Sequence, residues 1–166
     1  MDEIEFNRIG PFAGKMDSLL ILKGRGRILE EIMRVYGNAK KNERIYATCY
    51  ACADFPEEYF KTLKDAVGHG ARFSLLARQS KAADALVLRL RSECGVKKQD
   101  TRSYQQVYTL LFAGRELNEA VLTISPAGSM AESNADIAVY STNQHLIAYL
   151  RQTFFDLFKT SAEYPV

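Results

Sequence analysis

Two stretches of this 166-residue chain carry side chains whose types and spacing could do chemistry. Lys23-Gly24-Arg25-Gly26-Arg27 puts three cations on permissive backbone just ahead of an apolar helical pattern. Exposed amides and the positive end of a helix dipole at such a place suit an anion such as phosphate. The dinucleotide fingerprint would need a third glycine where the chain has Leu29, and no Gly-Lys-Ser/Thr follows as a P-loop requires. The simpler reading is a glycine turn with a solvated basic rim, and Lys23, Gly24, Arg25 and Gly26 are the candidate anion-binding residues. Cys49-Tyr50-Ala51-Cys52 is a C-x-x-C, a spacing that can cycle through a disulfide or supply half a zinc site. No second C-x-x-C exists, and the only further ligand candidates are Cys94, His69 and His145. The next helix starts near Pro56, so its dipole does not fall directly on Cys49, and small buried cysteines at a strand end are the preferred reading. No G-x-S-x-G elbow accompanies the many serines, and neither histidine is assigned a catalytic role.

The elements that would hold these residues follow from the hydrophobic pattern. Residues 18–22 read as a strand ending at the glycine turn, and Ile28, Leu29, Ile32, Met33 and Tyr36 then share one helical face. RIYATCY over 44–50 is β-branched and aromatic enough for a strand. Asp54 and Pro56 start a second helix with Glu57 and Glu58 in its first turn, a stripe of Tyr59, Phe60, Leu63, Ala66 and Val67, and an end at Gly68 and Gly70. An apolar strand over 73–77 precedes a helix capped by Ser80, with Ala83, Leu86, Val87 and Leu90 at helical spacing. This βαβαβα order implies a parallel sheet with helices packed on it. Beyond it, segments 107–112 and 117–124 read as strands joined by a tight turn at Gly114-Arg115. A small-residue loop over 125–134, a strand over 136–140 and a helix capped by Ser141 or Thr142 complete the chain; Leu146, Ile147, Leu150, Phe154, Leu157 and Phe158 share that helix's face. The expectation is an α/β domain with a mixed sheet of about six strands and helices on both faces.

Composition narrows the function classes. The chain is 47% hydrophobic and 25% charged, ordinary values for one globular domain that needs no staples. Lys+Arg of 22 against Asp+Glu of 20 gives +2, neither a nucleic-acid footprint nor a strong field for an acidic substrate. The acidic, glycine-broken start lacks the pattern of a signal peptide, and no apolar run is long enough to span a bilayer. Three cysteines argue against a disulfide framework and for a reducing, cytoplasmic setting. No cofactor and no metal is assigned.

Three stretches resemble the phospholipase-D-like fold, and in particular the effector domain of TrmB-type archaeal transcription regulators. They are ILKGRGRILEEIMRVYGNAKKNERIYATCY, YFKTLKDAVGHGARFSLLA and NADIAVYSTNQHLIAYLRQTFFDLF, and together with the element order they cover roughly 18–160. The resemblance divides the chain into an N-terminal extension over 1–17, one phospholipase-D-like domain over 18–160, and a tail over 161–166. Active members of that family carry H-x-K-x-x-x-x-D, in which the histidine attacks phosphorus and the lysine binds phosphate. Setting the family's post-strand Asp-Gly on Ala113-Gly114 puts Gln106 at the histidine and Tyr108 at the lysine, so all three signature positions have departed. Gln106 cannot form a phosphohistidine, and Tyr108 brings no cation. The later Asn-x-Glu corresponds to Asn134-Ala135-Asp136.

The resemblance therefore implies a non-catalytic ligand- or partner-binding domain of regulatory type, paired as a homodimer, with a small-molecule effector or a protein partner. TrmB-type regulators carry a winged helix ahead of this region; the residues before position 18 are too few for one, so direct nucleic-acid binding is not expected. A pocket should lie at the strand ends, as in open α/β sheets. That nominates Cys49, Tyr50, Arg78, Gln106, Tyr108, Ser125, Asn134 and Asp136 as candidate ligand-binding residues. Two other readings stay open: a phosphodiesterase or nuclease with an altered motif, and a redox or metal sensor built on Cys49 and Cys52.

Overall fold

The computed structural model describes residues 19–49, 55–104, 110–124 and 137–166. A strand, β1 (Leu19–Lys23), leads into α1 (Arg25–Gly37), then β2 (Arg44–Cys49), α2 (Glu57–Gly68), β3 (Arg72–Ala77) and α3 (Lys81–Cys94). A 3-10 turn (Lys98–Asp100) precedes the short β4 (Thr101–Ser103). The hairpin of β5 (Leu110–Arg115) and β6 (Glu119–Ile124) follows, then β7 (Ile137–Ser141), α4 (Gln144–Thr160) and the two-residue β8 (Ala162–Glu163). All eight strands form one mixed sheet in the order β1-β7-β6-β5-β2-β3-β4-β8.

The βαβαβα expectation holds in its connections but only partly in its pairing. β2, β3 and β4 are parallel neighbours, whereas β1 crosses to the far edge and pairs antiparallel with β7. The antiparallel β5, β6 and β7 fill the gap between β1 and β2. Eight strands replace the expected six because β4 and β8, at three and two residues, are too short to show a period-two pattern.

Strand side chains alternate between two cores. Ile45, Ala47, Cys49, Phe73, Leu75 and Ala77 face α1, α2 and α3. Tyr46, Leu76 and Phe112 face α4, which contributes Ile147, Leu150 and Phe154. Helices thus cover both faces, and the helical stripes are where the sequence places them. In α1 the pattern misses Val35, fully buried beside Ile28 and Tyr36, while Ile32 and Met33 are only half-buried. Tyr36 lies 5.7 Å edge-on from both Tyr59 and Phe73, locking α1, α2 and β3 together.

The caps confirm one expectation and correct another. Ser80 Oγ accepts the Ala83 amide at 3.0 Å, and α3 ends at Gly95 with φ of 72°. At α4 the cap is Asn143, whose Oδ1 accepts the Leu146 amide at 2.9 Å; Ser141 instead receives the Asn143 amide. The expected turn at Gly114-Arg115 is also corrected. Both residues pair within β5, and the turn falls at residues 116–118, with Glu116 at φ of 43°. Gly114 sits opposite Tyr46 in the ladder, where an added Cβ would lie 2.5 Å from the tyrosine ring. The glycine makes room for a ring rather than for a turn.

Candidate ligand site at the strand ends

Strand direction decides which residues can meet. β1 is antiparallel to β7, β7 to β6, β6 to β5 and β5 to β2, so β1 runs the same way as β2. The carboxyl ends of β1, β2, β3, β4 and β6 and the amino ends of β5 and β7 therefore share one edge of the sheet. Lys23, Cys49 and Arg78 leave the sheet there, and Gly24 to Gly26 start α1 beside them. Tyr50, Gln106, Tyr108, Ser125, Asn134 and Asp136, with Cys52, lie outside the described residues.

At the opening of α1, Gly24 is the N-cap with φ of 84°, a left-handed conformation that favours glycine, and no side chain caps the helix. Its carbonyl accepts the Ile28 amide at 3.1 Å. No acidic residue occupies the first turn, so the positive end of the dipole is left to Lys23 and Arg25. Gly26 is exposed, with nothing within 4 Å of an added Cβ.

Cys49 is buried, 7% exposed, in the core beneath α1 to α3. It pairs with Ala77, and its carbonyl accepts the Arg78 amide at 3.0 Å, carrying the β2–β3 ladder one residue past the strand. Cys49 is buried as expected but is disulfide-bonded, which corrects the preferred reading of a plain buried thiol at this strand end. Cys94 is free and buried, its Sγ set 3.3 Å from the Phe60 carbonyl, and burial pushes its thiol up. α3 starts at the strand-end edge and runs away from it, so Cys94 lies about 20 Å along the helix from that edge. His69 caps the far end of α2, and His145 opens α4 beyond the far end of β7; both are exposed. Among the described residues, no three His, Cys, Asp or Glu side chains come together as a metal would need.

Ala113, set on the aspartate of the catalytic signature, is 3% exposed and sits opposite Ala47 in the ladder. It belongs to the core under α1 to α3 and brings no carboxylate to the site.

A charged cluster that the sequence did not single out occupies the other edge. Glu119, 4% exposed, takes Arg34 at 3.1 Å, Arg115 at 3.2 Å, Asn38 at 3.3 Å and the Tyr140 hydroxyl at 3.0 Å. Arg115 also donates to Glu43 at 2.7 Å. Burial opposes ionisation of Glu43, but the Lys40 amide and the Arg115 guanidinium outweigh it and hold the carboxyl below its usual value. Burial, with Glu119 alongside, pushes the Tyr140 phenol up. Every carboxylate here is answered by cations and donors, so the cluster ties α1 to the hairpin. No sequence signal marks it, because its members are scattered over four elements.

The fold, a three-strand parallel block beside an antiparallel meander, superposes on solved structures. Nuc from Salmonella typhimurium, a phospholipase D family member, superposes with a TM-score of 0.69 over 90% of this chain and 99% of its own, at 14% identity. NucT from Helicobacter pylori gives 0.69 over 89% and 98%, at 11% identity. The fold is phospholipase-D-like. TrmBL2, an archaeal chromatin protein with a novel mode of DNA binding, gives 0.66 over 94% of this chain at 10% identity; the chain spans 57% of the TrmBL2 chain. No family model and no curated protein matches the sequence. At these identities the likeness is one of fold. Among the described residues, no helix is long and apolar enough to cross a membrane.

Proposed function

We infer that this chain is a non-catalytic phospholipase-D-like domain, which binds a small-molecule effector or a protein partner at its strand-end edge in a regulatory role. The observation that carries the reading is Ala113, a buried methyl in the core where the catalytic signature has an aspartate. Gln106 and Tyr108 at the histidine and lysine positions agree with it. A fold that superposes on both Nuc and TrmBL2 is compatible with either role, so the reading rests on the site residues and not on the fold.

The ligand site we propose is made by Cys49, Arg78 and the basic opening of α1 at Lys23; the other nominated residues lie outside the described residues. Its cations favour a ligand with a negative group. Phosphorylated and carboxylated small molecules are therefore the compounds to screen by thermal shift. A binder present at a hundred times its Kd stabilises the fold by about 2.7 kcal/mol, and the shift should shrink in Arg78→Ala and Lys23→Ala. A shift retained in full by both variants places the ligand elsewhere. The superposition on a phospholipase D family member keeps a second reading, a phosphodiesterase with an altered motif. That reading requires diester cleavage that disappears in Tyr108→Phe or Gln106→Ala.

A further inference from the structure

We propose that Arg44, Arg72 and Arg151 form a binding site for a phosphate group, at the amino ends of β2 and β3 on the face that α4 covers. Arg44 opens β2 and Cys49 closes it, so about 17 Å of strand separates this site from the strand-end edge. The two sites stand or fall independently.

The sheet brings the cations together. Arg44 and Arg72 open neighbouring parallel strands in register. Ile45 and Phe73 turn toward α1 to α3, so alternation sends Arg44 and Arg72 to the α4 face. Like charges side by side on adjacent strands repel, and an anion between them relieves the repulsion. α4 adds the third cation. Arg44 and Arg151 both lie over the Phe155 ring, with guanidinium carbons 4.9 and 5.0 Å from its centroid.

The nearby carboxylates leave these charges incompletely answered. Glu116 lies 3.3 Å from Arg151, and its other oxygen accepts the Arg44 backbone amide at 2.7 Å. Asp100 approaches Arg72 only to 4.0 Å. Among the described residues, no carboxylate pairs with the Arg44 guanidinium, whose partner is the Phe155 ring. Arg151 Nε is buried and has no acceptor within the chain, a condition that costs stability. The Glu119 cluster is the contrast, because Arg34 and Arg115 there each hold a carboxylate.

The donor set selects the ligand. Three guanidinium forks call for a group with at least three acceptor oxygens; a carboxylate has two, and a phosphate has both the number and the charge. The side chains of Arg72 and Arg151, 52% and 37% exposed, leave the site open to solvent.

The test is titration of the intact chain with inorganic phosphate at low ionic strength, read by calorimetry and by proton–nitrogen spectra of the arginine Nε–H groups. The Arg151 Nε–H signal, identified by its loss in Arg151→Lys, should move and saturate. Binding should weaken by about tenfold or more in Arg44→Gln and in Arg151→Gln, each confirmed folded by circular dichroism. Arg78→Ala and Lys23→Ala should bind phosphate as the native chain does. Without phosphate, Arg44→Gln should unfold at the same or a higher denaturant concentration than the native chain, because it removes a repulsion; this variant decides the matter if Arg151→Gln does not fold. An Arg151 signal that stays still in millimolar phosphate overturns the proposal, as does full binding by Arg44→Gln. Loss of binding in Arg78→Ala or Lys23→Ala with retention in Arg44→Gln would put the phosphate at the strand-end edge instead.

Discussion

At the residue scale, the local pattern makes Gly114 half of a turn, and the structure makes it the space for a ring. The local pattern could not tell these apart, because the tyrosine that needs the space lies on another strand. Two glycines therefore respond oppositely to the same methyl. Gly114→Ala should lower stability in denaturant unfolding by about 1–3 kcal/mol, because the Cβ meets the Tyr46 ring at 2.5 Å. Gly26→Ala, with open space around its Cβ near the start of α1, should be neutral or stabilising by up to about 1 kcal/mol. A tolerated Gly114→Ala would mean that Tyr46 can move aside. The aromatic core also sets an alkaline limit. Burial pushes Tyr59 up to about 12, so the fold holds it neutral. Its contribution is complete below the unfolded phenol value near 10 and declines as pH rises toward 12. Stability should fall across that window, and Tyr59→Phe should flatten the fall; an unchanged alkaline limb would contradict the assignment.

At the element scale, the long amphipathic helices were legible because each carries a repeated stripe, as in Leu63, Ala66, Leu86 and Leu90. The short pieces were not. β4 and β8 exist only through their partners: Arg102 pairs with Glu163, and Tyr164 is fully buried with its hydroxyl 2.8 Å from Asp84. Arg91 fixes that end further, through Thr101, the Tyr164 carbonyl at 3.0 Å and the Val166 carbonyl. These contacts are tertiary and leave no period in the sequence. Helix starts show the same division. Ser80 was readable because it stands alone before its stripe, while Ser141, Thr142 and Asn143 compete over three positions and only geometry selects Asn143. Ser80→Ala and Asn143→Ala should each cost about 1 kcal/mol in chemical denaturation, whereas Thr142→Ala should leave the α4 cap intact. Equal losses at Asn143 and Thr142 would refute the cap assignment.

At the scale of the whole molecule, fold class was legible and sheet order was not. Connections can be read from the order of elements, but the placing of β1 at the far edge depends on which strands pair. The candidate site divides in the same way. The strand-end edge follows from topology and gathers Lys23, Cys49 and Arg78, whereas the disulfide at Cys49 runs against the preferred reading of a plain buried cysteine there. The homodimer that the resemblance implies is tested by light scattering at micromolar concentration, which should give twice the chain mass; a clean monomer would contradict it. The central claim is a phospholipase-D-like scaffold without its chemistry, with buried Ala113 as its mark. The most direct measurement of that claim is hydrolysis of an activated phosphodiester, bis(p-nitrophenyl) phosphate, by the purified chain. The account predicts a rate equal to that of buffer alone at every enzyme concentration. Turnover that scales with the chain and is lost in Tyr108→Phe or Gln106→Ala would contradict it.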